Sequence, residues 1–305
     1  MASLQLPVRG PFSLAASSGF LEGFPPAGYR GSTDDEILRL AFPMAGTGAA
    51  VGVSVRQEPD GAVLADVDGD VPDGLAAQVA RILSLDVDGS GYPDVRRLDP
   101  VVDALADRYP GLRPVCFFSP YEAACWAVLA QRTSMVSAAA VKDRIARRHG
   151  ESLRVGGVEA WAFPSAPGLH AVVDELPVPE VKRERLRALA EATMDGRLDA
   201  DRLRALPAEE ALAAVRELPG MGPFSAELVV IRGAGAPDVF PQFEGRLHAA
   251  MAELYGLVDP TASRLAAVAE RWAPYRSWVS VLIRSAGDAW TRGRTRMIRR
   301  SPAVG

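Results

Sequence analysis

Two cysteines are all that the 305-residue chain contains, Cys116 and Cys125. So few thiols exclude a four-cysteine zinc or iron–sulfur site and a disulfide framework. The only histidines, His149, His170 and His248, are scattered, so no structural metal held by side chains is expected. No apolar run is long enough to cross a membrane. The opening MASLQLPVRGPF has neither the charged segment nor the apolar stretch of a secretory leader. A cytoplasmic protein without a membrane partner is expected. An excess of positive charge is lacking too. The net charge of −4 argues weakly against nucleic acid as a partner.

That average hides an asymmetry. Residues 1–100 carry 7 Lys+Arg against 14 Asp+Glu, which leaves 27 against 24 for residues 101–305. The end of the chain, WTRGRTRMIRRSPAVG, has five arginines and no acid. It reads either as part of a basic face or as a solvated chain end. Hydrophobic content of 48% and charged content of 24% are globular values. The length allows two or three domains.

Residues 1–75 read as β-rich. VGVSVRQEPDGAVLADV alternates about Pro59-Asp60-Gly61, a hairpin signal, and LRLAFPMAG (38–46) reads as a further strand. From Gly74 the period turns helical, in GLAAQVARILSL (74–85) and DPVVDALADRYPG (99–111). The DVDGSGYPD segment (86–94) between them reads as a loop. Ser119-Pro120-Tyr121-Glu122 is a capping box with proline at the first helical position. The apolar stretch that it opens is broken by Gln131-Arg132-Thr133, where the helix is expected to end. Further helices are expected over 179–196, 207–218, 223–233, 243–256, 260–272 and 274–290.

Between two of these helices sits Pro219-Gly220-Met221-Gly222-Pro223. Proline cannot continue the first helix, and glycines take positive φ at little cost. A tight hairpin between helices follows. Its bare amides, beside a helix N-terminus, suit a phosphate or another anion. The other reading is a corner whose glycines serve packing alone.

In this order, ILSLDVDGSGYPDVRRLDPVVDALADRYPGLRP (82–114), PYEAACWAVLAQRTS, LPGMGPFSA, DVFPQFEGRLHAA (238–250) and ERWAPYRSWVSVLI resemble the helix–hairpin–helix DNA glycosylases, more narrowly the DNA-3-methyladenine glycosylase II type. The resemblance implies a mainly α fold with an N-terminal α+β domain and a body of two helical lobes with a cleft between them. It divides the chain into a β-rich domain (1–75), a lobe with the catalytic carboxylate (76–114 and 234–290), a lobe ending in the hairpin (115–233) and a basic tail (291–305). It implies a monomer acting on double-stranded DNA, meeting the nucleoid when bound. Gly220, Gly222 and Ser225 would meet a phosphate. Gln131 and Arg132 would fill the gap left by a flipped base. Carbonyls of Leu218 and Met221 would hold a monovalent cation, with no other cofactor.

Cleaving an N-glycosidic bond builds positive charge on the sugar of an extruded nucleotide. A nearby carboxylate stabilises that charge. The family's catalytic aspartate stands six residues after the aspartate of DVF; six after Asp238 comes Glu244. The acid is kept on an arm longer by about one C–C bond, ~1.5 Å. Asp238 is the second carboxylate candidate, or it caps the helix or braces the hairpin. His248, one turn on, either orients Glu244 or is an ordinary neighbour. Superfamily members that also cut the strand place a lysine where Phe224 stands, so a monofunctional enzyme is expected. Base-pocket positions map to Trp126, Phe224, Leu228 and Arg284, with Phe240, Phe243 and Trp278 as other possible walls. Leu228 and Arg284 replace the family's tyrosine and tryptophan. An arginine there repels a cationic base. The resemblance therefore implies release of a damaged, alkylated purine in base-excision repair or, alternatively, a DNA-binding relative that has lost the reaction.

Overall fold

The computed structural model describes residues 2–22 and 37–298, the side chains of residues 20 and 288–298 excepted. Its N-terminal part is an antiparallel sheet of β1 (Ala2–Leu6), β2 (Leu38–Pro43), β3 (Ala50–Gln57) and β4 (Val63–Val67), ordered β1-β4-β3-β2. Strands β3 and β4 form the expected hairpin, with Gln57 paired to Val63. Gly61 takes φ +91° in the connection, a conformation that costs a glycine little. Alternate residues Val51, Val53 and Val55 meet Val63, Ala65 and Val67 in the core beneath. A sheet with one apolar face needs a covering layer. Helix α1 (Leu14–Glu22) contributes Leu14 and Leu21, and α2 (Leu75–Ile82) contributes Leu75, Val79 and Ile82. Val79, Ala80, Ile82, Leu83 and Leu85 thus pack with the sheet, whereas the resemblance groups residues 76–114 with 234–290.

The rest is helical. Helices α3 (Tyr92–Leu98) and α4 (Pro100–Arg108) lead to α5 (Pro120–Ala130) and α6 (Met135–His149). A short hairpin, β5 (Glu151–Val155) and β6 (Val158–Ala162), follows. Then come α7 (Ala166–Val172), α8 (Glu180–Met194), α9 (Ala200–Ala205), α10 (Ala208–Arg216) and α11 (Pro223–Glu227). Helix α11 widens into a π-helical turn over Leu228–Gly233. The last helices are α12 (Gly245–Leu254), α13 (Ala262–Ala269) and α14 (Arg276–Ile298). Among the described residues no helix is long and apolar enough to cross a membrane. The arginines of the expected basic tail lie outside the described side chains.

Two helical cores result. One gathers residues of α5 to α11, the other residues of α3, α4 and α12 to α14. Ser119 caps α5 by accepting the amide of Glu122 at 3.1 Å. The reciprocal half of the capping box is absent, because the Glu122 carboxylate turns inward to Lys142 Nζ at 2.5 Å. The second core is tied by Asp99. One oxygen caps α4 at Val101 and Val102, and the other accepts Tyr255 OH at 2.8 Å and Trp272 Nε1 at 2.9 Å. Buried Arg81 of α2 donates to the carbonyls of Phe117, Phe118 and Gly233. It thereby fixes the sheet's covering helix to the end of the hairpin helix.

Candidate active site

The link between α10 and α11 answers the question of its glycines differently at each position. Gly220 has φ +83°, where only glycine is unstrained. A Cβ there would also stand 2.6 Å from Arg185 Cδ. Gly222 has φ −85° and ψ 180°, an extended conformation open to any residue, so of the two glycines Gly220 alone uses positive φ. A Cβ on Gly222 would meet nothing within 4 Å, so its face is free for an incoming group. Pro223 opens α11, with the partly exposed Ser225 in the same turn.

Helix α5 ends at Ala130, as the polar triplet predicts. Gln131 lies against the hairpin. Its Nε2 donates to Gly220 O at 2.7 Å, and its Oε1 accepts Nη1 of Arg185 from α8. Arg132, next in line, is exposed with φ +53°, a left-handed conformation costly for a residue with a Cβ. Lys182, one turn before Arg185, donates to Leu129 O at 2.7 Å and to Thr133 Oγ1 at 3.1 Å. Sequence reasoning singled out Gln131, Arg132 and Gly220, and the structure joins Gln131 to Gly220. It missed Arg185 and Lys182, whose role depends on the packing of α8 across that place.

Glu244 is the N-cap of α12. One carboxylate oxygen accepts Arg246 N at 3.1 Å, and Arg284 Nε of α14 lies 3.9 Å from the same oxygen. A helix N-terminus favours an anion. The side chain keeps about a quarter of its surface exposed, at 26%, so a reacting group has access to it. Asp238 has another task. It accepts Arg276 N at 3.2 Å and pairs with Arg276 Nε at 3.1 Å, bracing the start of α14. This takes up the second carboxylate candidate as a cap. His248 donates from Nε2 to Pro241 O at 3.1 Å and stacks on Phe240; its ring is an ordinary neighbour.

A third acid was not foreseen. Glu227, at the end of α11, is only 5% exposed. Its two oxygens accept the amides of Gln242 at 2.7 Å and Phe243 at 3.0 Å, in the loop that ends at Glu244. Burial pushes its carboxyl above the ordinary value. The two amides oppose that shift, and the charge of Glu244 adds to it. The only sequence signal was an acid inside the apolar run AELVVI.

The aromatic candidates divide by exposure. Trp126 is 3% exposed and sits in the core of the hairpin lobe. Trp278 is 4% exposed and carries the Arg113 guanidinium 4.8 Å above its ring. Phe240 packs on Trp272. These three side chains are buried in the helical cores. Phe224 and Phe243 are 47% and 55% exposed. Phe224, Glu227 and the partly buried Leu228 follow at helical spacing on α11, so they share a face. For a cation at the hairpin, the Leu218 carbonyl already accepts Met221 N at 3.0 Å and keeps its second lone pair.

A hairpin between two helices of one core is followed by a helix of the other core that starts on a carboxylate, and an antiparallel sheet completes the fold. That arrangement defines the helix–hairpin–helix DNA glycosylase fold. A 3-methyladenine DNA-glycosylase from Archaeoglobus fulgidus superposes with a TM-score of 0.78 at 19% identity, covering 95% of this chain and 99% of that one. An 8-oxoguanine glycosylase/lyase from Clostridium acetobutylicum, in complex with double-stranded DNA containing cytosine opposite 8-oxoG, gives 0.69 at 14% identity over 94% and 98%. No family model matches the chain. In sequence it is 31% identical over 284 residues to the probable bifunctional transcriptional activator/DNA repair enzyme AlkA of Mycobacterium tuberculosis. The match takes in 91% of this chain and 55% of that protein, so the chain spans about half the length of this curated relative. The chain belongs to the helix–hairpin–helix DNA glycosylase superfamily and, within it, to the DNA-3-methyladenine glycosylase II type.

Proposed function

We propose that this protein is a DNA N-glycosylase of base-excision repair that releases a damaged, alkylated purine from double-stranded DNA. The observation that carries this reading is Glu244, a partly exposed carboxylate at a helix start, whose preceding loop is held by Glu227 of the hairpin helix. Placed next to C1′ of a flipped nucleotide, it stabilises the positive charge that grows on the sugar and aligns the attacking water. Phe224 and Phe243 offer exposed rings for stacking the extruded base. The Gly222 face and the amides that follow it grip a phosphate, which positions the strand without reading sequence. A monovalent cation on the carbonyls of Leu218 and Met221 would add positive charge at that phosphate.

Arg284 bears on the choice of base. A guanidinium beside the catalytic acid disfavours a cationic lesion and spares a neutral one. The second reading, a lesion-binding protein without base release, draws on the same contacts. Glu244 already accepts an amide and has a cation 3.9 Å away. Release of purines from methylated duplex DNA decides between them: release supports the enzyme, and binding without release supports the second reading. Because position 224 is phenylalanine, no Schiff base forms there. Borohydride treatment during turnover therefore traps no protein–DNA adduct, and the product strand stays uncut. A trapped adduct would contradict the monofunctional assignment.

The two glycines give a further prediction. Gly222→Ala leaves thermal stability within about 0.5 kcal/mol of the parent, as for a substitution into open space, but weakens duplex binding. Gly220→Ala costs on the order of 1–3 kcal/mol through backbone strain and the clash with Arg185. Thermal melts and binding titrations of the two variants check this contrast.

A further inference from the structure

Four cations lie within six residues of α8, and their surroundings differ. Arg183 lies 3.1 Å from Glu180 and Arg187 lies 2.6 Å from Asp174. Among the described residues no carboxylate comes within 4.0 Å of Lys182 or Arg185. These two are three residues apart and so share a helix face. Partial burial, together with Arg185, holds the Lys182 ammonium below its usual value. Two like charges set side by side without a counter-ion repel each other in the free protein, and an anion placed between them relieves that cost.

What surrounds them points to the kind of anion. Lys182 spends donors on Leu129 O and Thr133 Oγ1, which steadies the end of α5 and the turn after it. Arg185 lies over Gly220 and donates to Gln131 Oε1, a neutral acceptor. An anionic oxygen in place of that amide oxygen makes a bond about twice as strong. Arg185 thus touches the hairpin at Gly220, two residues before the open position at Gly222. We propose that Arg185 and Lys182 form a phosphodiester-binding pair, a second backbone contact beside the hairpin amides. Gln131 Oε1 holds the place of a phosphate oxygen on Arg185 while DNA is absent.

This assignment rests on the reading of DNA as the partner, and it adds a coupling. Both ends of the Gln131 amide are occupied in the free protein, by Arg185 and by Gly220 O. Gln131 cannot enter a gap in the duplex until both bonds break. A phosphate arriving at Arg185 replaces the first of them. Gripping the strand thereby frees the residue that fills the space of a flipped base.

The test is the salt dependence of duplex binding, followed by fluorescence anisotropy on undamaged and abasic-site duplexes. Arg185→Gln is expected to reduce the slope of log K against log salt by about 0.9, the value for one lost phosphate contact. Arg187→Gln removes the same charge from the same helix, but from a residue already paired with Asp174, and is expected to leave the slope unchanged. Arg185→Lys keeps a charge and serves if the glutamine variant unfolds; its slope is expected to match wild type. An unchanged slope in Arg185→Gln, or an equal loss in Arg187→Gln, overturns the proposal. If wild type binds duplex but releases no base, the glycosylase reading fails while the slope comparison still decides this one. If wild type binds no duplex, both fail.

Discussion

Glu244→Gln lowers the single-turnover rate of base release by on the order of 100- to 1,000-fold, the loss typical of removing one electrostatic stabiliser of a transition state. Duplex affinity is expected to stay near wild type, because the proposed phosphate contacts lie in the hairpin and in α8. The substitution also weakens a helix cap, at a cost of about 1 kcal/mol, so the rate is measured well below the unfolding temperature. Glu244→Asp separates the two effects. Aspartate caps a helix at least as well and restores the family's residue with its carboxylate drawn back by ~1.5 Å. Release is expected to persist in Glu244→Asp. A glutamine variant as fast as wild type would remove Glu244 from the chemistry.

The second large effect comes from Glu227, through its grip on the loop before Glu244. Glu227→Leu leaves the amides of Gln242 and Phe243 without acceptors, at about 1–3 kcal/mol for each one that stays buried. The loop then shifts, and a displacement near 1 Å at a reacting group costs ~100-fold in rate. Glu227→Gln keeps one acceptor oxygen and is expected to fall between the two. Arg246 N reports the same event without catalysis. As a first-turn amide it has no partner within its helix, and its acceptor is Glu244. Its hydrogen exchange is expected to quicken in Glu227→Leu along with that of Gln242 and Phe243. Unchanged exchange and rate would leave Glu227 as mere filling.

The titration of Glu227 adds a pH dependence of definite sign. Its carboxyl lies above the ordinary value in the fold, chiefly through burial, so the native state binds the proton more tightly than the unfolded chain. In the window from the ordinary carboxylate value up to the raised one, its contribution to stability falls as pH rises. Glu227→Gln has no such proton. The stability of wild type relative to this variant therefore declines with rising pH across that window. Thermal melts at a series of pH values measure it, and a constant difference would contradict the assignment.

The elements that define the fold are written locally in the sequence. Pro59-Asp60-Gly61 marks the β3–β4 turn, Ser119-Pro120 starts α5, the Gln131 triplet ends it, and Pro223 opens α11. The unforeseen hairpin β5–β6 was also legible. Gly156 and Gly157, both at positive φ, separate Val155 from its partner Val158, a two-residue turn of the favoured kind. What the sequence could not supply are choices made by tertiary packing. Glu122 looks like half of a capping box until Lys142 draws it inward. Trp126 and Phe224 look alike as aromatics on helices, yet one is interior and the other exposed. Glu227 and Arg185 gain meaning only from groups 15 or more residues away, the Gln242 amide and Gln131.

The central claim is that the Glu244 carboxylate lies where it steadies a cationic sugar. Its most direct test is the affinity for duplexes that carry, at one position, either a neutral abasic-site analogue or a ring-nitrogen analogue that is positively charged. Transition-state resemblance strengthens binding by at least about 100-fold in favourable cases. Wild type is expected to prefer the charged analogue, and Glu244→Gln is expected to bind the two alike. Equal affinity of wild type for both, or a preference that survives in Glu244→Gln, would contradict the account.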